Sequence, residues 1–214
     1  MSKIKMEQPK IPHHLPHVHF QDIYDKDEPF INHCTISSCT IGRVEMDRIA
    51  FSQVVFKKVI FDDVSFKNIE LTDVIFENCD LSNADFMEGI IHRVVFKESK
   101  MIGINLSEAS LRNVHFDSCM LNLSSYGYGR LRQVMFDHCI LRNTDYYECK
   151  LNKVGFNECD INEVNFSGTP LKGIDISSST FDSITVSLED LEGCVVSAEQ
   201  AIGFAGMLGL KVKR

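Results

Sequence analysis

The chain is 214 residues long, with 22 Lys and Arg against 30 Asp and Glu, and its net charge at neutral pH is −8. That length suits one or two ordinary domains. No run of 18 apolar residues occurs, which argues against a membrane-spanning helix, and the start, Met1-Ser-Lys-Ile-Lys-Met-Glu, lacks the apolar core of a secretory leader. A cytoplasmic protein is expected.

Residues 1–30 stand outside any period. They hold Pro9, Pro12, Pro16 and Pro29, and a run of four histidines, His13, His14, His17 and His19. Clustered imidazoles can bind a transition metal, but no carboxylate or cysteine is placed among them to complete a ligand set. No metal or other cofactor is expected. The segment reads instead as an irregular cap, with Ile11, Leu15, Val18 and Phe20 covering an open strand edge at the start of residues 31–196.

From Ile31 to Val196 every fifth residue is apolar or aromatic, Tyr126 and Tyr146 being the ones that carry a hydroxyl. A helix needs apolar spacing near 3.6 and a strand needs 2, so five is neither. A second small or apolar set sits two residues before each centre: Val54, Val59, Val64, Ile69, Val74, Cys79, Ala84. Residues two apart in extended chain face the same way. Each five-residue unit is therefore a short side with two inward side chains and a corner that resets the phase.

A longer period of twenty lies over the first. Leu131, Val134, Phe136, Cys139 and Leu141 return as Leu151, Val154, Phe156, Cys159 and Ile161. Four sides then make one coil, and stacked coils put like on like: Phe56, Phe76, Phe96, Phe116, Phe136 and Phe156 form one core column. The expected fold is an all-β solenoid over residues 31–196, about eight coils at a rung spacing of ~4.8 Å, hence ~40 Å long. The frame never slips in sequence. Only Asn122–Gly129, with Gly127 and Gly129 beside Tyr126 and Tyr128, suggests a bent or flattened corner.

All eight cysteines fall in the inward slot two before a centre. A disulfide ladder through Cys119, Cys139 and Cys159 would need bonding-range approach between rungs. Packing as small buried hydrophobes is the expectation.

The interior being filled, function is expected on outward side chains. The side centred on Phe86, Leu106, Tyr126, Tyr146 and Phe166 carries Asp85, Glu88, Glu108, Asp145 and Glu148, without Lys or Arg. The Phe column side carries Glu77, Glu98, Asp117, Asp137, Glu158 and Asp175 against Lys97. The side centred on Ile91 to Leu171 carries Arg93, Arg112, Arg130, Arg132, Lys150, Lys153 and Lys172. Two sides are acidic and one is basic.

These units resemble the pentapeptide-repeat family, whose pattern is a small residue, Asp or Asn, Leu or Phe, a polar residue, then a variable one. Cys79-Asp80-Leu81-Ser82-Asn83 and Ala84-Asp85-Phe86 carry the likeness. The resemblance implies a right-handed quadrilateral β-helix with four faces.

Residues 197–214 leave the repeat. Ser197 with Gln200 forms a capping box, the helix runs on to Leu208, and Gly209 ends it. Ala198, Ala201, Ile202, Ala205 and Leu208 form a stripe expected to cap the last coil, with Phe204 and Met207 pointing elsewhere. A helix apolar nearly all round is expected to be buried twice. Gly203 and Gly206, unfavourable in a helix, suggest close approach of another backbone. A homodimer follows, with Ile202, Phe204, Met207, Leu208 and Leu210 at its interface.

The tail Gln200-Ala201, then Leu208-Gly209-Leu210-Lys-Val212, is similar to the C-terminal signature of Qnr-type quinolone-resistance proteins, in particular the loopless chromosomal relatives and the mycobacterial MfpA type. That resemblance implies a non-enzymatic, dimeric DNA mimic that binds DNA gyrase and topoisomerase IV. The topoisomerase-facing residues would then be Glu77, Asp85, Glu88, Glu98, Glu108, Asp117, Asp137, Asp145, Glu148 and Glu158. The alternative is a general protein-interaction scaffold. No nucleophile–base pair or phosphate-cradling loop points to an enzyme, and no small-molecule substrate is expected.

Overall fold

The computed structural model describes residues 4–23 and 29–213. Each five-residue unit makes one side of a coil and turns at the residue two after its centre. The turning residue has positive φ, for example Asp63 (55°), Asn68 (55°), Asp73 (58°), Asn78 (55°) and Asn83 (58°), and the pattern recurs to Glu163 (59°). L-residues seldom enter this left-handed region, and Asn and Asp do so most readily. The fifth residue of the repeat is thus a hinge, and its variability in sequence hides a single backbone state.

The strands are β1 (Phe30–Ser37), β2 (Thr40–Glu45), β3 (Ala50–Lys57), β4 (Ile60–Ser65), β5 (Glu70–Glu77), β6 (Ile90–Lys97), β7 (Ser110–Asp117), β8 (Arg130–Asp137) and β9 (Lys150–Asn157). Strands β1, β3, β5, β6, β7, β8 and β9 form one parallel ladder, and β2 pairs with β4 in a second. Every eight-residue strand after β1 runs over a corner, at Gln53, Asp73, Arg93, Asn113, Gln133 or Lys153, and so spans two sides. Register advances by twenty: Phe56 pairs with Phe76, Phe76 with Phe96, Phe96 with Phe116. Isolated parallel bridges continue the other columns, Asp80 to Lys100 to Met120 and Asp85 to Asn105 to Ser125. The seven paired strands mark six turns, and bridges from Gly155 to Asp175 and on to Val195 carry the same column two turns further. The chain is a parallel β-solenoid with four columns of pairing, as the period requires.

The core is a set of columns. Phe96 and Phe116 stack at 4.9 Å and Phe116 and Phe136 at 4.7 Å, within 5° of parallel, and neither Phe116 nor Phe136 is exposed. Such pairs contribute about 0.5–1.5 kcal/mol each beyond the area they bury. Tyr126 and Tyr146 stack the same way at 4.7 Å. The Asn122–Gly129 stretch is not bent, contrary to expectation: its corners Leu123 and Tyr128 keep φ of 61° and 60°, and Ser125 bridges both Asn105 and Asp145. Gly129 is required for a different reason, since a Cβ there would meet the Tyr126 carbonyl oxygen at 2.6 Å.

No disulfide joins the cysteines among the described residues, and most of them are buried. They do more than fill space. Cys119 Sγ donates to the Phe96 carbonyl at 3.4 Å, Cys139 to Phe116 at 3.4 Å, and Cys149 to Tyr126 at 3.0 Å. Ser179 Oγ makes the same bond to Phe156 at 2.9 Å, and Thr144 Oγ1 bonds Leu121. The inward slot favours Cys, Ser and Thr because a donor there satisfies a main-chain carbonyl turned into the core.

The rod relaxes at its C-terminal end. Beyond Gly173 the positive-φ corner returns within the rod only at Gly193 among the described residues, and Glu163 N–H donates to Ser183 where the Asn143 pattern would give the residue before it. Phe181, Ile184, Leu191 and Val196 are only partly buried there. The corners therefore change at the end of the rod, while the register of twenty is kept from Asp160 to Thr180 and from Asp175 to Val195. Helix α1 (Ala198–Ala205) then closes the rod, followed by a short 3-10 turn, Gly206–Leu208.

The N-terminal segment departs most from expectation. Phe20 is buried and lies 6.2 Å from Phe66, as a cap residue should, and His17 bridges Thr35. Residues 4–12, however, do not cover the first rung. They run up the outside of the rod, from Lys10 beside Asp73 to Lys5 beside Gln133.

Candidate interaction surfaces

The acidic residues divide into two groups according to what their carboxylates already do. Asp85 and Asp145 sit just before a centre, where each accepts the N–H two residues on, from Met87 at 3.2 Å and Tyr147 at 3.2 Å. Each also accepts from the rung above, Asp85 from Asn105 Nδ2 at 2.8 Å and Asp145 from Asn165 Nδ2 at 2.7 Å. These carboxylates hold the rod together. Glu77 is paired with Lys57 at 2.9 Å, Asp137 accepts from Asn157 and contacts His115 at 2.7 Å, and Asp117 is half-buried.

The other group stands at corners. Glu88, Glu98, Glu108, Glu148 and Glu158 all have positive φ and lie at the surface. Glu98 contacts Lys97 and Glu158 contacts His138, while Glu88, Glu108 and Glu148 form no ion pair among the described residues. Glu88 and Glu108 are one rung apart, ~4.8 Å, and Glu148 is two rungs beyond Glu108. The corner glutamates thus fall on two edges, Glu88, Glu108 and Glu148 on one, with Tyr128 between the last two, and Glu98 and Glu158 on the other, where sequence had suggested two whole faces.

The basic side is present, with one exception. Arg112, Arg130, Arg132, Lys150, Lys153 and Lys172 are exposed, and none of them forms an ion pair among the described residues. Arg112 lies directly opposite Arg132, and Arg130 opposite Lys150, although like charges across neighbouring strands are unfavourable. Arg93 does not belong to this array. Its guanidinium forks onto Asp73, at 2.6 and 2.8 Å, and approaches Glu7 at 3.8 Å.

The C-terminal helix is rotated from the expected orientation. Gln200 is the residue that faces the rod: its Oε1 accepts from Ser197 N–H in the capping box, and its Nε2 donates to the carbonyls of Ile176 at 2.9 Å and Ser179 at 2.8 Å. One turn on, Phe204 packs on Phe181 at 5.7 Å. The stripe expected to cap the coil is instead outward, with Ile202 51% and Leu208 62% exposed. The physical reason is that the last coil ends in orphan carbonyls, which a buried amide satisfies and an alanine–isoleucine stripe cannot. Of the residues assigned to an interface, Ile202, Met207, Leu208 and Leu210 are exposed and Phe204 is half-buried. A shallow apolar groove beside them is lined by Leu188, Leu191, Val196, Phe204 and Leu208. A Cβ on Gly203 or Gly206 would meet nothing within 4 Å.

Sequence reasoning missed the side under the N-terminal segment. Val55, Ile75, Val95 and Met135 point outward next to the inward Val column, and Val55 and Met135 are nevertheless buried. Runs such as Val54-Val55-Phe56 and Val74-Ile75-Phe76 are apolar on both faces, the mark of a strand covered twice. Of the N-terminal histidines, His17 bridges Thr35, and no group of three potential metal ligands converges among the described residues. No helix among them is long and apolar enough to cross a membrane.

Comparison with known proteins agrees with this geometry. The family described as Pentapeptide repeat region matches residues 69–137, and Pentapeptide repeats (8 copies) matches 51–86 and 130–168. A Bacillus subtilis (strain 168) protein described as uncharacterized protein YisX is 44% identical over 132 residues, which is 60% of this chain and 60% of that protein. Among solved structures, QnrB1, described as a plasmid-mediated fluoroquinolone resistance protein, superposes with a TM-score of 0.50 at 21% identity over 86% of this chain and 95% of its own. HetL, a pentapeptide repeat protein involved in heterocyst differentiation regulation from Nostoc sp. strain PCC 7120, gives 0.52 at 15% identity, over 83% of this chain and 91% of its own.

Proposed function

This chain belongs to the pentapeptide-repeat family, and from that premise we propose that it is a non-catalytic, cytoplasmic binding protein of Qnr type. It works as a dimeric acidic rod that docks on the DNA-binding surface of DNA gyrase or topoisomerase IV. The observation that carries the reading is the C-terminal helix, anchored through Gln200 while Ile202, Met207, Leu208 and Leu210 stand in solvent at the end of the rod. Exposed apolar side chains clustered at one tip favour a second copy packed across a two-fold axis. Dimerisation doubles the rod and with it the ridge of Glu88, Glu108 and Glu148.

Carboxylates repeated at the rung spacing attract a surface built for phosphates and speed its encounter. Duplex DNA is denser, at one charge per ~1.7 Å, so the ridge competes for part of a DNA site. A fluoroquinolone-inhibited supercoiling reaction tests the proposal. Added protein restores supercoiling, and the triple variant Glu88→Lys, Glu108→Lys, Glu148→Lys does not. Absence of rescue together with unaltered gyrase activity refutes it.

The unpaired array Arg112, Arg130, Arg132, Lys150 favours a second reading, a scaffold that holds an acidic cytoplasmic partner on the basic side. Pull-down with and without charge reversal of that array discriminates the two.

A further inference from the structure

The N-terminal segment is held by a column of corner residues through its main chain. Gln133 Nε2 donates to the Lys5 carbonyl at 2.7 Å, and Glu7 N–H donates to Asn113 Oδ1 at 3.1 Å. Lys10 N–H donates to Asp73 Oδ1 at 2.9 Å, and Gln53 Nε2 donates to the Lys10 carbonyl at 3.0 Å. Arg93, on the rung between, stands 3.8 Å from the Glu7 carboxylate. Five successive corners of one edge thus present an amide, a carboxylate or a guanidinium to an extended chain.

The two repeats are commensurate. From Lys10 to Ile4 an extended chain rises six residues, ~20 Å, while the rod rises from Asp73 to Gly155 by four rungs, ~19 Å. The edge is therefore a ruler for extended peptide. Main-chain bonds supply affinity in such recognition, and pockets supply selectivity. Two selective points occur here. Arg93 takes a carboxylate, and the Gly155 floor takes an apolar side chain: Ile4 Cδ1 would lie 3.3 Å from a Cβ at Gly155, beside Met135. The groove around Ile4, Lys5 and Met6 has a volume of about 900 Å3 and is bordered by Met135, Gly155, Gly173, Asp175 and Val195.

We propose that this edge is a docking site for an extended segment of a partner protein that carries an apolar residue followed three positions later by a carboxylate, and that residues 4–12 of the chain fill it in cis. The tail then acts as an intramolecular competitor, and a partner binds to the extent that it displaces it. The occupant is recognised by backbone and spacing: the corner residues are polar, while the strip beside them, Val55, Ile75, Val95, His115 and Met135, is apolar except at His115.

A labelled synthetic peptide of residues 1–12 tests the proposal against the full-length protein and against a full-length variant, Ile4→Asp with Glu7→Lys, whose own tail is weakened at both selective points. Fluorescence anisotropy is expected to show at least tenfold tighter binding to the variant than to the wild type, and at least tenfold weaker binding when the peptide itself carries Glu7→Lys. Equal affinity for both proteins, or no binding to the variant, overturns it. Hydrogen exchange on the wild type gives a readout independent of the variant. Excess peptide should accelerate exchange at the Glu7 and Lys10 amides, and unchanged exchange at high peptide contradicts displacement. A rise in mass per particle without peptide that the tail variant abolishes would instead mean tails exchanged between copies, and would also overturn the assignment to a partner.

Discussion

Single residues in this rod are chosen by carbonyls as much as by volume. The inward slot that holds Cys119, Cys139, Cys149, Thr144 and Ser179 supplies a donor to the coil before it. Tyr146 is the counter-case: its ring stacks well, but its buried hydroxyl has no partner among the described residues. An unsatisfied buried polar group costs about 1–3 kcal/mol, and Phe86 and Phe166 occupy the same column. Tyr146→Phe should raise stability by about 1 kcal/mol in urea melts, and a loss would mean that the hydroxyl is satisfied. Burial pushes the Cys79 thiol up to about 11 and the Cys149 thiol up to about 12, so neither forms a thiolate near neutrality. At pH 8 a disulfide reagent should label the native protein at no more than Cys39 and Cys194, the two half-exposed thiols, and all eight after denaturation.

At the scale of elements, the two ends are held by polar bonds that no apolar pattern advertises. Gln200 joins helix α1 to the last coil. Gln200→Ala removes the capping box and orphans two carbonyls, at a cost of about 2 kcal/mol, and should free the helix before the rod melts, seen as early loss of far-ultraviolet helix signal. Gly203→Ala has room in one copy and should favour the helix by about 1 kcal/mol. If a second backbone packs there, the same change weakens dimerisation, measured by sedimentation. The N-terminal strap has its own pH signature. Burial raises the Asp73 carboxyl, but hydrogen bonds from Arg93 and the Lys10 N–H outweigh it, and the net shift is downward. A carboxyl with a lowered folded pKa contributes stability above its unfolded value, near ~3.9, and loses it as pH falls through the folded value. Glu7, Lys10 and Arg93 surround it, and His92 is held toward neutrality by burial and by Arg93 and Arg112. The strap should therefore stay docked from neutral pH down to about 4 and release in stronger acid, as amide exchange at Lys10 will report.

The whole molecule was legible where its chemistry is periodic. The Phe56 to Phe156 column, the four-sided coil and the placing of the cysteines all follow from a period of five within twenty, because stacking like on like leaves its mark at every rung. The corner conformation was not legible, because Lys, Glu, Arg, Asn and Leu all occupy it and only φ unites them. The acidic faces were over-read, since Asp85 and Asp145 look identical in sequence to a solvent-facing acid and yet serve the next rung. The strap left one clue, the apolar outward residues Val55, Ile75, Val95 and Met135, and a repeat reading that sorts residues into inward and outward passes over it.

A rod with a glutamate ridge, doubled through its C-terminal helix, is proposed to compete with DNA for a type II topoisomerase. Gyrase supercoiling in the presence of a fluoroquinolone, titrated with the purified protein, tests it most directly. Supercoiling is expected to recover as the protein rises to micromolar concentration, and the recovery to be lost on charge reversal at Glu88, Glu108 and Glu148. Supercoiling that stays blocked at every concentration, with the uninhibited enzyme unaffected, would contradict it.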